Sequence, residues 1–208
     1  MTQKQKTHRI AVAALLAAVA AVLQFVEFSI PIMPAFVKLD ISDLPALLGT
    51  FSLGPVYGVA IQLVKNLLHL PFGSSACVGE LSNFLLGATF AFIAGIIYKK
   101  HKTRSGALWG SVAGAAAMAL ISLPLNYFIV YPAYVVLYGL PLEAIVGMYQ
   151  EILGTVAQIP TGNALFNCLL VFNVPFTLCK GLLDVALCFL IYKPCLLYTS
   201  DAADERSS

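Results

Sequence analysis

Four ionisable side chains lie inside long apolar stretches of the sequence, where they could bind a ligand or pair with one another. They are Lys65, Glu80, Lys180 and Asp184, and the amides Asn66, Asn83, Asn126 and Asn173 lie in the same stretches. An ionisable group inside a membrane helix costs at least about 2.5 kcal/mol, so such residues usually serve a function. Structural pairing is the alternative, and Asp184 is its best candidate because it follows Lys180 by four residues, one helical turn.

The sequence carries no recognisable catalytic motif. It lacks a serine nucleophile elbow, a His-Glu-x-x-His metal motif and a phosphate-binding P-loop. Its three histidines and five cysteines are dispersed without a metal-ligand spacing. We therefore predict a protein that is not an enzyme, needs no metal or cofactor, and cannot hydrolyse ATP by itself.

The composition is that of a membrane protein. Of the 208 residues, 60% are hydrophobic and only 11% are charged, whereas soluble domains carry about 25% charged residues. This excludes a disordered chain and an ordinary cytosolic enzyme, and it argues against a nucleic-acid partner. The first apolar stretch, residues 10–26, follows basic residues as a signal peptide would, but no small-residue cleavage site comes after it. We expect it to be retained as a membrane helix.

Six helices account best for the apolar stretches. The Gly54-Pro55 dipeptide is a turn signal, so it divides one long stretch into a short second helix and a third helix. The second helix is predicted to begin with Ser42 or Asp43 as N-cap, with Pro45 in its first turn. It is too short to cross a bilayer, so neighbouring helices must shelter it. The six helices are predicted at about 9–28, 43–53, 55–71, 80–99, 105–131 and 164–193.

This helix count places every basic cluster on one side of the membrane. The basic N-terminus, the cluster at 99–104 and Lys193 all fall on the cytoplasmic side, as the positive-inside rule requires. We thus predict a multi-pass protein of the plasma membrane with both termini in the cytoplasm. The connections 29–42, 72–79 and 132–163 then face outwards, and residues 142–159 are predicted to form an interfacial helix or a lid.

The sequence changes character after Lys193-Pro194, where it becomes polar and acidic. We interpret residues 195–208 as a tail that is not native or is disordered. Residues 1–194 are then predicted to form one membrane-embedded domain.

The costly polar groups are predicted to gather in the outer half of the helix bundle. Glu80 and Asn83 begin the fourth helix, and Asn126 lies near the outer end of the fifth. Thr177 and Lys180 follow a helix break expected at Pro175. Together they predict a pocket that opens outwards. A channel would need polar residues along a full transmembrane path, and the inner half lacks them.

The first helix carries a face of small residues, Ala13, Ala17 and Ala21, with Ala14 and Ala18 beside them. In lipid such a face allows another helix to approach closely, because packing drives helix association there. The pattern favours equally a docking face for another subunit and tight packing within the same chain.

Several short motifs, in order along the chain, resemble the substrate-binding S components of energy-coupling factor (ECF) vitamin transporters. They include LDISDLPALL at 39–48, LGP at 53–55, LVKNLLH at 63–69 and VGELSNF at 78–84. The motifs LNYF at 125–128, YPAY at 131–134 and VPFTLCKG at 174–181 are similar to those of the riboflavin-specific members. The resemblance covers essentially the whole chain up to Pro194.

The resemblance implies a six-helix, all-α membrane protein with a short second helix that captures riboflavin from outside. Riboflavin would be the transported ligand and not a cofactor. The family works with a transmembrane coupling subunit and two cytoplasmic ATPase subunits, and Ala13, Ala17 and Ala21 match its docking surface for the coupling subunit. Two alternatives stay open: an S component that selects another vitamin, and a stand-alone flavin facilitator that works without those subunits.

The resemblance also implies roles for individual residues. In the family, the last helix offers an asparagine followed three residues later by a lysine to the flavin. Here the lysine is Lys180, but Thr177 stands at the asparagine position, so one hydrogen bond could be lost or relayed through water. Asn126 matches a second flavin-contacting asparagine. Glu80 or Asn83 would bind the ribityl hydroxyls, and apolar or aromatic walls are expected from Phe36, Leu44, Phe84, Tyr127 and Tyr131.

Overall fold

The computed structural model describes residues 2–31, 33–34, 37–73, 77–139, 141–153 and 163–204. Most of these residues are helical. The helices are α1 (Gln3–Gln24), α2 (Leu44–Leu53), α3 (Pro55–His69), α4 (Val78–Lys100), α5 (Arg104–Leu125), α6 (Tyr131–Tyr138), α7 (Leu142–Leu153), α8 (Ala164–Cys168) and α9 (Val174–Asp204). A short antiparallel hairpin pairs β1 (Phe28–Ser29) with β2 (Lys38–Leu39).

Continuous helical runs confirm the prediction of six bundle helices with a short second one. Helices α5 and α6 join through a π-helical turn at Asn126–Val130, and α8 and α9 join through another at Leu169–Asn173. Within the described ranges, four runs are long and apolar enough to cross a membrane: Gln3–Gln24, Val78–Lys100, Arg104–Leu137 and Ala164–Ile191. The chain is therefore a multi-pass membrane protein, and large apolar side chains such as Trp109, Leu120 and Val136 are exposed around the bundle.

Two prolines do not break helices where the sequence predicted an end or a break. The fifth helix was expected to end near residue 131 and the last was expected to break at Pro175, but both runs continue through π-helical turns. A proline cannot donate to the carbonyl four residues before it, and its ring crowds that carbonyl. The wide turn just before Pro132 and Pro175 relieves this conflict, and such turns are frequent at functional sites.

The break between α2 and α3 lies at Gly54, as predicted. Its φ of 114° is in the positive region that favours glycine, so the chain can reverse there. Asp43 stands at the N-cap of α2, and Pro45 is in the first turn. However, the Asp43 carboxylate makes no capping hydrogen bond. It points instead toward α3, where it becomes part of the polar site.

The bundle is held together by close helix approach and three apolar clusters. Helix α4 packs against α3 and α5, α5 also packs against α9, and α1 packs against α2 and α3. A side chain at Gly114 of α5 would place its Cβ 2.7 Å from the carbonyl oxygen of Phe90 in α4. Glycine is thus required where these two helix backbones meet. One of these clusters surrounds Leu47, Phe90 and Met118.

Helix α7 lies outside the six bundle runs. It forms within the segment 142–159 for which an interfacial helix or a lid is predicted, and residues 154–162 lie outside the described residues. Its buried side chains, Ile145 and Tyr149, pack on Tyr131 and Leu169.

At the C-terminal end of the sequence, α9 continues to Asp204, past the predicted domain boundary at 194. Residues 205–208 lie outside the described part, and the interpretation of the tail stays a prediction.

Candidate ligand-binding site

A cavity of about 350 Å³ opens at one end of the bundle. We call this the hairpin end, because β1 and β2, the C-terminus of α3 and the N-terminus of α4 meet there. The opposite end carries the basic residues around Lys99 and Arg104 and is called the basic end. The volume falls in the usual range for sites that enclose a small molecule. Apolar side chains form part of the wall: Val37, Phe72, Leu86, Met118, Val130 and Phe176.

The polar groups of the cavity are positioned by several different elements. The hairpin, whose register pairs Ser29 with Lys38, brings Asp40 over the cavity. The two π-helical turns supply Asn126 and Asn173. Helix α9 adds Thr177 and Lys180 one and two turns further along. The site therefore depends on segments from both halves of the sequence.

The ammonium group of Lys180 is the centre of the polar floor. Its Nζ donates to Asp40 Oδ2 at 2.8 Å and to Asn83 Oδ1 at 3.3 Å, and it lies 3.6 Å from Asp43 Oδ2. Burial by itself would raise the pKa of Asp40, but the ammonium groups of Lys180 and Lys65 outweigh it and hold that pKa below the usual 3.8. Asp40 is thus ionised and fixes the position of Lys180.

A second ion pair lies beside the first and is fully enclosed. Lys65 Nζ donates to Asp43 Oδ1 at 2.5 Å and to Ser42 Oγ at 2.7 Å, while Gln62 Nε2 donates to the same carboxylate oxygen at 2.8 Å. Lys65 is completely buried. Breaking such a pair is strongly destabilising, because it leaves an uncompensated charge away from water. Lys65 and Asp43 therefore act chiefly as a structural unit, which lies next to Lys180 and supports its position.

Asp184 does not pair with Lys180, contrary to the structural role predicted for it. Its carboxyl group is completely buried, and neither oxygen has a hydrogen-bond partner within the described ranges. The reason is that Lys180 extends toward the hairpin end, to Asp40 and Asn83, rather than toward the next turn of its own helix. Lys65 likewise pairs with an acidic residue outside its own helix, namely Asp43.

A closed hydrogen-bond triangle joins α7 to the cavity wall. The hydroxyl of Tyr149 lies 2.6 Å from that of Tyr131 and 2.6 Å from Asn173 Oδ1, and Asn173 Nδ2 lies 3.3 Å from the Tyr131 hydroxyl. Tyr131 and Asn173 line the cavity, whereas Tyr149 stands behind them. Burial raises the pKa of Tyr149 far above its ordinary value of 10.0, so its hydroxyl keeps its proton.

On the opposite wall, Glu80 of α4 faces the end of α3. Its Oε1 lies 3.2 Å from His69 Nδ1, and both residues line the cavity. The ring of Phe25 packs against that of His69 with centroids 4.9 Å apart. Further out, an ion pair joins Lys38 of β2 to Glu27, which directly precedes β1. These contacts hold the first connection against the cavity rim.

The structure brings together most of the residues proposed from the sequence. The cavity-lining ones are Glu80, Asn83, Asn126, Tyr131, Thr177 and Lys180. The prediction that Leu44 forms a wall of the site is wrong, because Leu44 is buried in the cluster with Leu47 and Phe90 and does not line the cavity. The first turn of α2 directs Leu44 into the core while Asp43 faces the polar groups. Among the further wall residues expected, Tyr127 lines a separate surface groove and Phe84 is absent from the lining, while Phe36 lies outside the described residues.

Sequence reasoning missed several residues of the site. The sequence indicates for Asp40 only a place in a motif and for Asp43 a helix cap, yet both residues contact Lys180. Tyr134, Met118 and Phe176 also line the cavity. Two acidic residues in an otherwise apolar connection were the available signal for Asp40 and Asp43, because buried carboxylates need cationic partners.

The small-residue face of α1 is used inside the chain. Ala17 and Ala21 are buried and Ala13 is half-buried, and Ala17 packs with Ala46 and Ile61 of α2 and α3. Of the two alternatives for this face, packing within the chain is the one observed. The predicted docking face at Ala13, Ala17 and Ala21 is therefore corrected: Ala11, Ala14 and Ala18, on the adjacent side of α1, are the exposed alanines.

Comparison with known proteins gives a consistent family assignment. The chain is 38% identical over 136 residues to riboflavin transporter RibU of Staphylococcus aureus (strain TCH60), an alignment covering 65% of this chain and 72% of that protein. It is 33% identical over 132 residues to riboflavin transporter FmnP of Bacillus subtilis (strain 168), covering 62% and 70%. The RibU of Streptococcus thermophilus (strain ATCC BAA-250 / LMG 18311) is 28% identical over 193 residues, covering 90% and 82%.

The fold points to the same family. The solved S component of a bacterial ECF transporter superimposes with a TM-score of 0.71 at 31% identity, covering 93% of this chain and 98% of that one. The family model described as "ECF transporter, substrate-specific component" matches residues 8–192. This is a family of transport subunits rather than of enzymes. Since the match spans nearly the whole chain and the fold agrees, the chain belongs to the substrate-specific components of ECF transporters.

Proposed function

We propose that the chain is the membrane subunit that captures riboflavin for uptake by an ECF transporter. The observation that carries the proposal is the cavity at the hairpin end, where the Lys180 ammonium group and the amides of Asn126 and Asn173 face apolar walls. The relatives named as riboflavin transporters support the choice of ligand.

The chemistry of riboflavin suits these groups. The molecule is uncharged, with a flat ring system that is apolar at one end and carries alternating donors and acceptors at the other. Val130, Met118 and Phe176 offer apolar surface to the ring. Lys180 and Asn126 bond the polar edge in our proposal, and Glu80 and Asn83 bind the ribityl hydroxyls. Lys180 has three N–H donors, and two of them are occupied by Asp40 and Asn83.

We further propose that the hairpin end faces outwards and that both termini lie in the cytoplasm. The basic residues at 99–104 support this orientation, because basic loops remain on the cytoplasmic side. The energy would come from two ATPase subunits acting through a transmembrane coupling subunit. The exposed side of α1, with Ala14 and Ala18, is the helix face on which the coupling subunit would dock. The substrate-binding domain in this proposal spans residues 1–194.

Titration of the purified full-length chain with riboflavin, followed by quenching of flavin fluorescence, tests the proposal. We expect saturable binding, and a yellow preparation when the protein is expressed in riboflavin-containing medium. Absence of riboflavin binding would overturn the assignment, and tight binding of a different vitamin would then identify the ligand. Riboflavin uptake by reconstituted vesicles that continues without ATPase subunits would indicate a stand-alone facilitator instead.

A further inference from the structure

The hydrogen-bond triangle of Tyr131, Tyr149 and Asn173 has one arrangement of protons that agrees with its geometry. The two separations of 2.6 Å from the Tyr149 hydroxyl are those of O–H···O bonds, and 3.3 Å from Asn173 Nδ2 to Tyr131 is the longer separation of an N–H···O bond. The carbonyl oxygen of Asn173 can only accept, so Tyr149 donates its single proton to it. Tyr131 must then donate to Tyr149 and accept from Asn173.

This arrangement leaves one donor of Asn173 unused. A side-chain amide carries two N–H protons, and the triangle uses one of them. The described part of the chain provides no further hydrogen bond to Asn173 Nδ2. Asn173 is only 5% exposed, and it lines the cavity. A buried N–H needs an acceptor, and inside a cavity the ligand can supply one.

The free donor belongs to a row of donors along one face of a helix. Asn173, Thr177 and Lys180 follow one another by four and three residues, which places them on one side of the run that leads into α9. All three line the cavity. The row presents an amide, a hydroxyl and an ammonium group to the same ligand. Such a row recognises acceptor atoms, namely carbonyl oxygens or unprotonated ring nitrogens.

We propose that Asn173 donates a hydrogen bond to a carbonyl oxygen of the bound ligand, and that Tyr149 is the positioning residue that sets its amide for this role. The choice of riboflavin as that ligand rests on the function proposed above. Tyr149 belongs to α7 and does not line the cavity, so it acts only through Asn173 and Tyr131. Helix α7 thereby contributes to ligand recognition without touching the ligand.

The test uses riboflavin titrations of the purified full-length chain and of four variants. We expect Asn173→Ala to weaken binding by about tenfold, as the loss of one buried hydrogen bond implies. Tyr149→Phe, which removes only the hydroxyl, should weaken binding by about threefold to tenfold. In the double variant Asn173→Ala with Tyr149→Phe, the loss should equal that of Asn173→Ala alone, because Tyr149 acts through Asn173. Tyr127→Phe removes a hydroxyl outside the cavity and should leave the affinity unchanged.

Each outcome has a separate meaning. If the unaltered chain does not bind riboflavin, the proposed function fails. If it binds riboflavin and Asn173→Ala binds equally well, the role of Asn173 is overturned while the proposed function stands. Additive losses in the double variant would overturn the positioning role of Tyr149, since a purely structural effect of Tyr149 would persist without Asn173. Should Asn173→Ala fail to fold, Asn173→Asp keeps the shape and the acceptor oxygen but lacks the N–H donors, and the same loss is expected.

Discussion

Lys180 and Asp40 lie 140 positions apart in the sequence, yet Nζ and Oδ2 are 2.8 Å apart on the floor of the cavity. This ion pair joins the last bundle helix to the first connection at the hairpin end. Both side chains are largely buried, so their interaction is weakly screened by solvent. In the proposed function, the pair would couple ligand binding at Lys180 to the position of the first connection.

Replacing Lys180 by Met should weaken riboflavin binding by more than about tenfold, because the ligand loses a charge-assisted hydrogen bond. The same change leaves Asp40 as an unpaired buried charge, so thermal stability should fall as well. The double variant Lys180→Met with Asp40→Asn should recover part of the stability but none of the affinity. Fluorescence titration and thermal unfolding in detergent measure the two effects. Lys102→Met, at the basic end, is the control, and equal affinity of Lys180→Met and the unaltered chain would remove Lys180 from the site.

Two buried aspartates should respond differently to the same substitution. Asp43→Asn removes the charge that compensates Lys65, and we expect a loss of about 3 kcal/mol or more in the free energy of unfolding. Asp184→Asn replaces a carboxyl group that has no hydrogen-bond partner among the described residues, so stability should stay equal or rise. Thermal unfolding of both variants in the same detergent makes the comparison. A larger loss for Asp184→Asn than for Asp43→Asn would contradict this assignment of roles.

Gly114→Ala should separate α4 from α5 and destabilise the bundle. Its Cβ would lie 2.7 Å from the backbone oxygen of Phe90, and a backbone atom cannot move aside as a side chain can. We expect a loss of about 1–3 kcal/mol. Gly147→Ala in α7 is the matched control, since its Cβ would have no neighbour within 4 Å and alanine is the better helix former. Unfolding midpoints of the two variants should therefore shift in opposite directions.

Protonation of Asp40 should not lower the affinity for riboflavin between about pH 8 and pH 5. The pKa of this carboxyl is held below 3.8 in the folded chain, so Asp40 stays ionised and paired with Lys180 across this pH range. The stability that Asp40 contributes to the folded state is fully present above its unfolded pKa and is lost only as the pH falls through its lower folded pKa. Titrations at several pH values measure this, with Asp40→Asn as a reference that should bind weakly at every pH. A steep fall in affinity near pH 6 would show that a different group controls binding.

The sequence alone determined the class of the protein and its main elements. Apolar stretches with few charges require helices that satisfy their own backbone hydrogen bonds in lipid, and Gly54-Pro55 fixed the break between α2 and α3. The cost of burying Glu80, Asn126 and Lys180 marked them as candidates, and all three line one cavity. These conclusions depend on local chemistry, which the chain carries at each position.

Only the tertiary structure decided which charges meet and which way each side chain points. Lys180 pairs with Asp40 rather than with Asp184, four residues away on its own helix, because the hairpin brings Asp40 within reach. Likewise, Leu44 enters the core although its neighbour Asp43 joins the polar site. Such choices depend on contacts between segments far apart in sequence, and a helical period cannot specify them. The helices likewise continue through Pro132 and Pro175, because a π-helical turn before each proline relieves its local cost.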